Sequence, residues 1–113
     1  MTVEEFVVHI LSSALNVPVA GDVPSSGTGE SYVTVDQLSG RSSDQVYAAS
    51  LAVQSWGESR ERASEINEEV KNAMAEAAAL DTVSRCALTN DYYYPDIETK
   101  HPRYQAVFDV ILF

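Results

Sequence analysis

The chain is short of the residues from which most active sites are built. It has a single cysteine, Cys86, two histidines, His9 and His101, and 7 basic side chains in 113 residues. One cysteine excludes an intrachain disulfide and a cysteine-built zinc site, and it fits a reducing compartment such as the cytosol. Against 17 acidic side chains the 7 basic ones leave a net charge of −10, which repels a phosphate backbone and disfavours specific nucleic-acid binding. Solubility is one use of that charge, an acidic channel lining another. No apolar run approaches membrane-spanning length, and acids stand near the N-terminus where a signal peptide would carry Lys or Arg, so neither export nor membrane insertion is expected.

Recognisable chemistry is equally sparse. Nucleophilic catalysis needs a nucleophile, a base and an orienting group, and nothing around His9 or His101 reads as that set. Cys86 falls inside a strand pattern and reads as a small buried hydrophobe. Gly27-Thr28-Gly29 lacks the third glycine and the following helix of a dinucleotide loop, no Gly-Lys-Ser/Thr occurs, and the acids match neither a calcium loop nor a zinc helix. No enzyme, cofactor or metal is expected.

What is present is the pattern of a single folded domain over residues 1–113. Apolar residues make up 45%, enough for a core at this length. Val3, Phe6, Val7, Ile10, Leu11 and Ala14 recur at helical spacing behind Thr2 and Glu5, which form a capping box. Residues 17–30 are rich in Pro, Gly and Ser and read as a loop, with room for a short strand at 17–20. Residues 31–35 and 45–56 read as strands joined by a Gly40-bearing turn at 39–44, a hairpin. The strand over 45–56 is expected to be buried mainly on one face.

A second helix is expected over 59–80, with Ala63, Ile66, Val70, Ala73, Met74, Ala77 and Leu80 along one stripe and Glu61, Glu65, Glu68, Glu69, Lys71 and Glu76 on a solvated face. Trp56 is expected to cover the core at the turn into it. Strands at 83–89 and 103–113 flank a loop at 90–102, and the last strand, apolar on both faces, belongs in the middle of the sheet or at a subunit contact. The order helix, two or three strands, helix, two strands predicts an α+β fold: two helices packed on a largely antiparallel four- to five-stranded sheet.

Three adjacent tyrosines, Tyr92, Tyr93 and Tyr94, precede Pro95-Asp96. Loop tyrosines anchor interfaces because they offer area and a hydroxyl at low entropic cost; equally, they could finish a strand and cover the core edge. Arg41 and Arg103, rare cations in an acidic chain, are candidates for inter-subunit ion pairs, with Asp96 as a partner; exposed ion pairs within the subunit are the plainer reading of both arginines.

The order of several short stretches resembles the tail terminator, or tail completion, family of long-tailed bacteriophages, the group that includes lambda minor tail protein U. They are Val17-Pro18-Val19 and Asp22-Val23-Pro24 before Tyr32-Val33-Thr34-Val35, then Leu38-Ser39-Gly40, Leu51-Ala52-Val53-Gln54-Ser55-Trp56 leading to Ala63, Tyr94-Pro95-Asp96, and Pro102-Arg103-Tyr104-Gln105 before an alternating final strand. Ser39, where a glycine is common, and the tyrosine triplet depart from the pattern. The resemblance implies a structural virion protein at the tail–head junction, assembled in the host cytoplasm. It would form a ring, typically of six copies, that caps the tail tube, ends its growth and offers a face to the head–tail connector protein, with DNA only passing through the lumen. A head-closure or neck protein is the neighbouring alternative. A small dimeric ligand-binding α+β domain is the alternative from another class; its sign would be a pocket with convergent polar groups.

Overall fold

A computed structural model describes residues 2–22, 31–43 and 46–113. The Gly27-Thr28-Gly29 stretch, Val23-Pro24 and residues 44–45, on which the end of the expected turn and the start of the expected second strand fall, lie outside the described residues. The chain runs α1 (Val3–Ala14), β1 (Val19–Ala20), β2 (Tyr32–Ser43), β3 (Val46–Trp56), α2 (Arg60–Ala77), β4 (Val83–Tyr93) and β5 (Arg103–Leu112). The strands form one five-stranded sheet in the order β1-β2-β3-β5-β4, in which only the β1–β2 pairing is parallel. This is the expected α+β arrangement. β5 lies inside the sheet, paired on both sides by β3 and β4, next to the edge rather than at the centre, which β3 occupies.

Local sequence sets the helix ends. Glu5 N–H donates to Thr2 Oγ1 at 3.0 Å and Thr2 N–H donates to Glu5 Oε1 at 3.2 Å, so the capping box satisfies two otherwise unpaired donors. The Thr2 backbone N–H holds the Glu5 carboxyl below the usual carboxylate range. Ser59 caps α2 by accepting from Arg62 N–H at 3.1 Å, a contact of about 1 kcal/mol.

Side chains of directly paired residues share a sheet face, and one face carries the core. Val33, Val35, Leu51, Val53, Ala106, Phe108 and Val110 join Val3, Val7 and Leu11 of α1 and Ile66, Val70, Ala73 and Met74 of α2 in one buried cluster. Both helices therefore cover the same side. Of the expected α2 stripe, Leu80 alone lies beyond the helix, and it is exposed; of the α1 stripe, Ala14 is exposed.

Several boundaries differ from the sequence reading. Residues 39–43 of the expected turn are strand: β2 continues to Ser43, and Gly40 and Arg41 pair with Ala49 and Ala48. Ser and Gly are weak strand formers, but backbone pairing along β3 overrides propensity, and a bulge between Gln37 and Ser39 absorbs one residue. Likewise the expected loop at 90–102 begins only after Tyr93, because β4 stays paired with β5 through a second irregularity between Leu88 and Asn90. β3 is not buried on one face alone, since Ala52 and Trp56 are enclosed as fully as Leu51 and Val53.

Candidate functional site

The helix-free face of the sheet carries a continuous polar ladder. Trp56 Nε1–H donates to Thr34 Oγ1 at 3.0 Å, Thr34 Oγ1–H donates to Gln54 Oε1 at 2.8 Å, and Gln54 Nε2 donates to Gln105 Oε1 at 2.8 Å. Gln105 Nε2 in turn donates to the Tyr92 hydroxyl. The ladder spans β2, β3, β5 and β4, so one set of side chains braces all four antiparallel strands.

Around the Trp56 end of the ladder lies an aromatic cluster. Tyr32 and Trp56 stack with centroids 5.4 Å apart, and His101 meets Trp56 at 5.0 Å and Tyr32 at 5.7 Å. The Arg103 guanidinium sits 4.5 Å from the centroids of both Trp56 and Tyr94, and Arg103 Nε donates to the Tyr94 carbonyl at 2.6 Å. Tyr92 and Tyr94 meet edge to face at 5.7 Å. Asp96 organises the loop beyond them: Asp96 Oδ1 accepts from Glu98 N–H at 3.0 Å and the Asp96 carbonyl from Lys100 N–H at 2.8 Å. The Glu98 N–H is the main reason the Asp96 carboxyl lies below its usual range.

The structure thus gathers Tyr92, Tyr94, Asp96 and Arg103 at one end of the sheet. Tyr93 points to the other face, where Arg60 stacks 4.1 Å from its ring centroid and Tyr104 lies at 5.0 Å. Arg41 is far away. It pairs with Ala48 and Arg103 pairs with Trp56 on the same strand, eight residues or about 27 Å apart, on a molecule 43 Å long. Arg41 belongs to the opposite, hairpin end and is part of a strand rather than a turn.

Exposed apolar side chains stand at both ends, Tyr94 and Ile97, the latter 90% exposed, at the loop end and Val46, Tyr47 and Phe113 at the hairpin end, while Leu38 and Leu88 are exposed near the middle of the sheet. An open groove of about 960 Å³ runs between α1 and the hairpin, lined among others by Phe6, His9, Tyr47, Leu112 and Phe113. A smaller hollow of about 360 Å³ on the helix-free face is lined among others by Arg41, Arg85, Asp109, Ser39 and Ser50. Arg85 was not singled out by sequence reasoning. Alternation counted from the buried Val83 would turn it inward; a register shift between the two residues turns it out.

For catalytic groups the geometry is plain. His9 is exposed on α1, whereas His101 is buried in the aromatic cluster on the far side of the sheet. Cys86 is half-buried against the core, and burial pushes its thiol pKa up, away from the reactive thiolate. Among the described residues no group of three or more His, Cys, Asp or Glu converges as a metal site would require. Among the described residues no helix is long and apolar enough to cross a membrane.

No protein-family model matches the sequence, and no curated protein does. Among solved structures of similar fold is a chain described as "Virion of native gene transfer agent (GTA) particle". It superposes with a TM-score of 0.60 over 97% of this chain and 86% of that one, at 13% identity. At that identity the likeness is one of fold.

Proposed function

We propose that the chain is a non-enzymatic structural protein of a phage-like virion, and within that class a tail terminator. It would form a ring, typically of six copies, on the head-proximal end of the tail tube, stop tube growth and present a docking face to the head–tail connector protein. The observation that carries the reading is the near-complete superposition on a chain of a gene transfer agent virion, taken together with the stretches whose order resembles the terminator family. Two spatially separate ends, each with exposed apolar side chains, suit a subunit that must bind one partner above and another below. The net charge of −10 suits a ring lumen through which DNA passes without adhering.

Deleting the gene from the phage or prophage that carries it, followed by electron microscopy of the lysate, tests the proposal. Overlong headless tails beside full heads are expected. Tails of normal length beside leaking, unattached heads would assign the chain to the neck instead, and intact infectious particles would remove it from the virion's essential parts altogether.

A further inference from the structure

Most cations of this acidic chain are occupied within the subunit. Arg60 lies on Tyr93 and Tyr104, Arg62 faces Glu65 at 3.8 Å, Lys71 holds Glu68 and Asp91 at 2.7 Å, and Arg103 is stacked between two rings. Arg41 and Arg85 are exposed and have no side-chain partner among the described residues.

These two arginines share one cross-strand row. Arg41 pairs with Ala48, Ala48 with Ile111, and Ile111 with Arg85, so the arginines stand at the ends of a row spanning four strands, about 14 Å apart at the backbone. Both reach the helix-free face through bulges. The shift between Gln37 and Ser39 reverses the alternation of β2 ahead of Arg41, and the shift between Val83 and Arg85 does the same in β4. Each bulge is an irregularity that re-aims a side chain, and the two act toward the same face. Asp109, in the same hollow, makes no ion pair with either arginine.

On the opposite side of the molecule, α2 exposes Glu61, Glu65, Glu69 and Glu76 along one stripe. Glu61 and Glu69, eight residues apart, are separated by about 12 Å along the helix axis. The flexible arms of two arginines 14 Å apart can meet that spacing.

We propose that the Arg41–Arg85 row is the seat for the acidic outer stripe of α2 of a second copy of this chain. The row and the stripe face opposite ways, so two copies cannot exchange both contacts about a two-fold axis. The contact is head-to-tail, and such contacts close into rings or extend into open filaments. The inference supplies the self-contact that the terminator reading needs and rests on that reading for its purpose. Its test uses only the purified chain, so the two can fail separately.

Sedimentation velocity over a concentration series, at low and high ionic strength, measures self-association of the wild-type chain, R41E/R85E, E61K/E69K and the quadruple charge-swapped chain. Wild type is expected to form species larger than a dimer, weakened by salt. Each double variant should associate roughly tenfold or more weakly, and the quadruple variant should recover, because opposite charges are restored across the contact. Trp56 fluorescence checks that the variants remain folded. A wild-type chain that stays monomeric at every concentration, one that stops at a dimer, or an R41E/R85E variant that associates like wild type overturns the proposal. Binding of a DNA duplex by wild type that R41E/R85E loses would assign the row to phosphate and overturn it equally.

Discussion

The guanidinium of Arg103 lies between the rings of Trp56 and Tyr94, 4.5 Å from each centroid, while its Nε holds the Tyr94 carbonyl. One cation thereby fastens the start of the loop after β4 to the last residue of β3. A planar guanidinium can stack and donate at once; an ammonium cannot do both in this geometry.

Arg103→Lys should therefore lower stability by about 1 kcal/mol despite keeping the charge, the range of a partly exposed cation–π contact. Trp56 is the only tryptophan, so its emission reports directly on the stack. Urea unfolding followed at Trp56 is the measurement, and an unchanged midpoint would mean that the contact is incidental. Charge reversal at Arg103 separates this internal role from an inter-subunit one: loss of self-association with the fold intact would make it an interface residue.

Gly57 sits where β3 turns into α2, and a Cβ there would fall 2.9 Å from Ala63 Cα and from the Arg62 carbonyl carbon. Those are backbone atoms of the first turns of α2 and have little room to retreat. Gly57→Ala should cost about 1–3 kcal/mol, the range for overpacking a tight site. Gly40→Ala is the control, because its Cβ would meet mainly the flexible Gln37 side chain. Thermal melts of the two variants should rank Gly57→Ala well below Gly40→Ala.

Asp91 ties the edge strand β4 to α2. Burial raises its pKa, but hydrogen bonds from Lys71 Nζ at 2.7 Å and Asn67 Nδ2 at 2.8 Å outweigh that and leave it below the ordinary value. A carboxyl whose pKa is lower folded than unfolded stabilises the fold above its unfolded value, about pH 4, and ceases to do so as pH falls through the folded value. Lys71, raised chiefly by its hydrogen bond to Asp91, contributes below its unfolded value of about 10 and loses that contribution as pH rises further. Asp91→Asn should cost about 1 kcal/mol at neutral pH and flatten the loss of stability below pH 4. An acid-unfolding profile as steep as that of wild type would show the pair to be silent.

Ser55 is fully buried, and its hydroxyl has no hydrogen-bond partner among the described residues. A buried polar group without a partner is a desolvation cost of about 1–3 kcal/mol. Ser55→Ala should leave stability unchanged or raise it, in contrast to most core substitutions. A clear drop in the denaturation midpoint would reveal a partner for the hydroxyl in solution.

Much of this protein was determined by local sequence. The T-x-x-E box, the 3.6-residue stripes of α1 and α2 and the two-sided apolar pattern of β5 required nothing beyond periodicity and capping chemistry to read, and with them came the α+β class and the interior place of β5. The order of short stretches resembles a phage structural family in the sequence itself. Tertiary structure decided the rest, chiefly by setting register. Ser39-Gly40-Arg41 and Asn90-Asp91 have turn-like composition, yet each is strand because a partner strand, and for Asp91 also Lys71 of α2, supplies bonds that local propensity cannot anticipate. A bulge of one residue reverses every side chain beyond it, since strand alternation has a period of two. Nothing local in the sequence marks the shifts before Arg41 and Arg85, so only the paired strands reveal that two distant arginines face the same way.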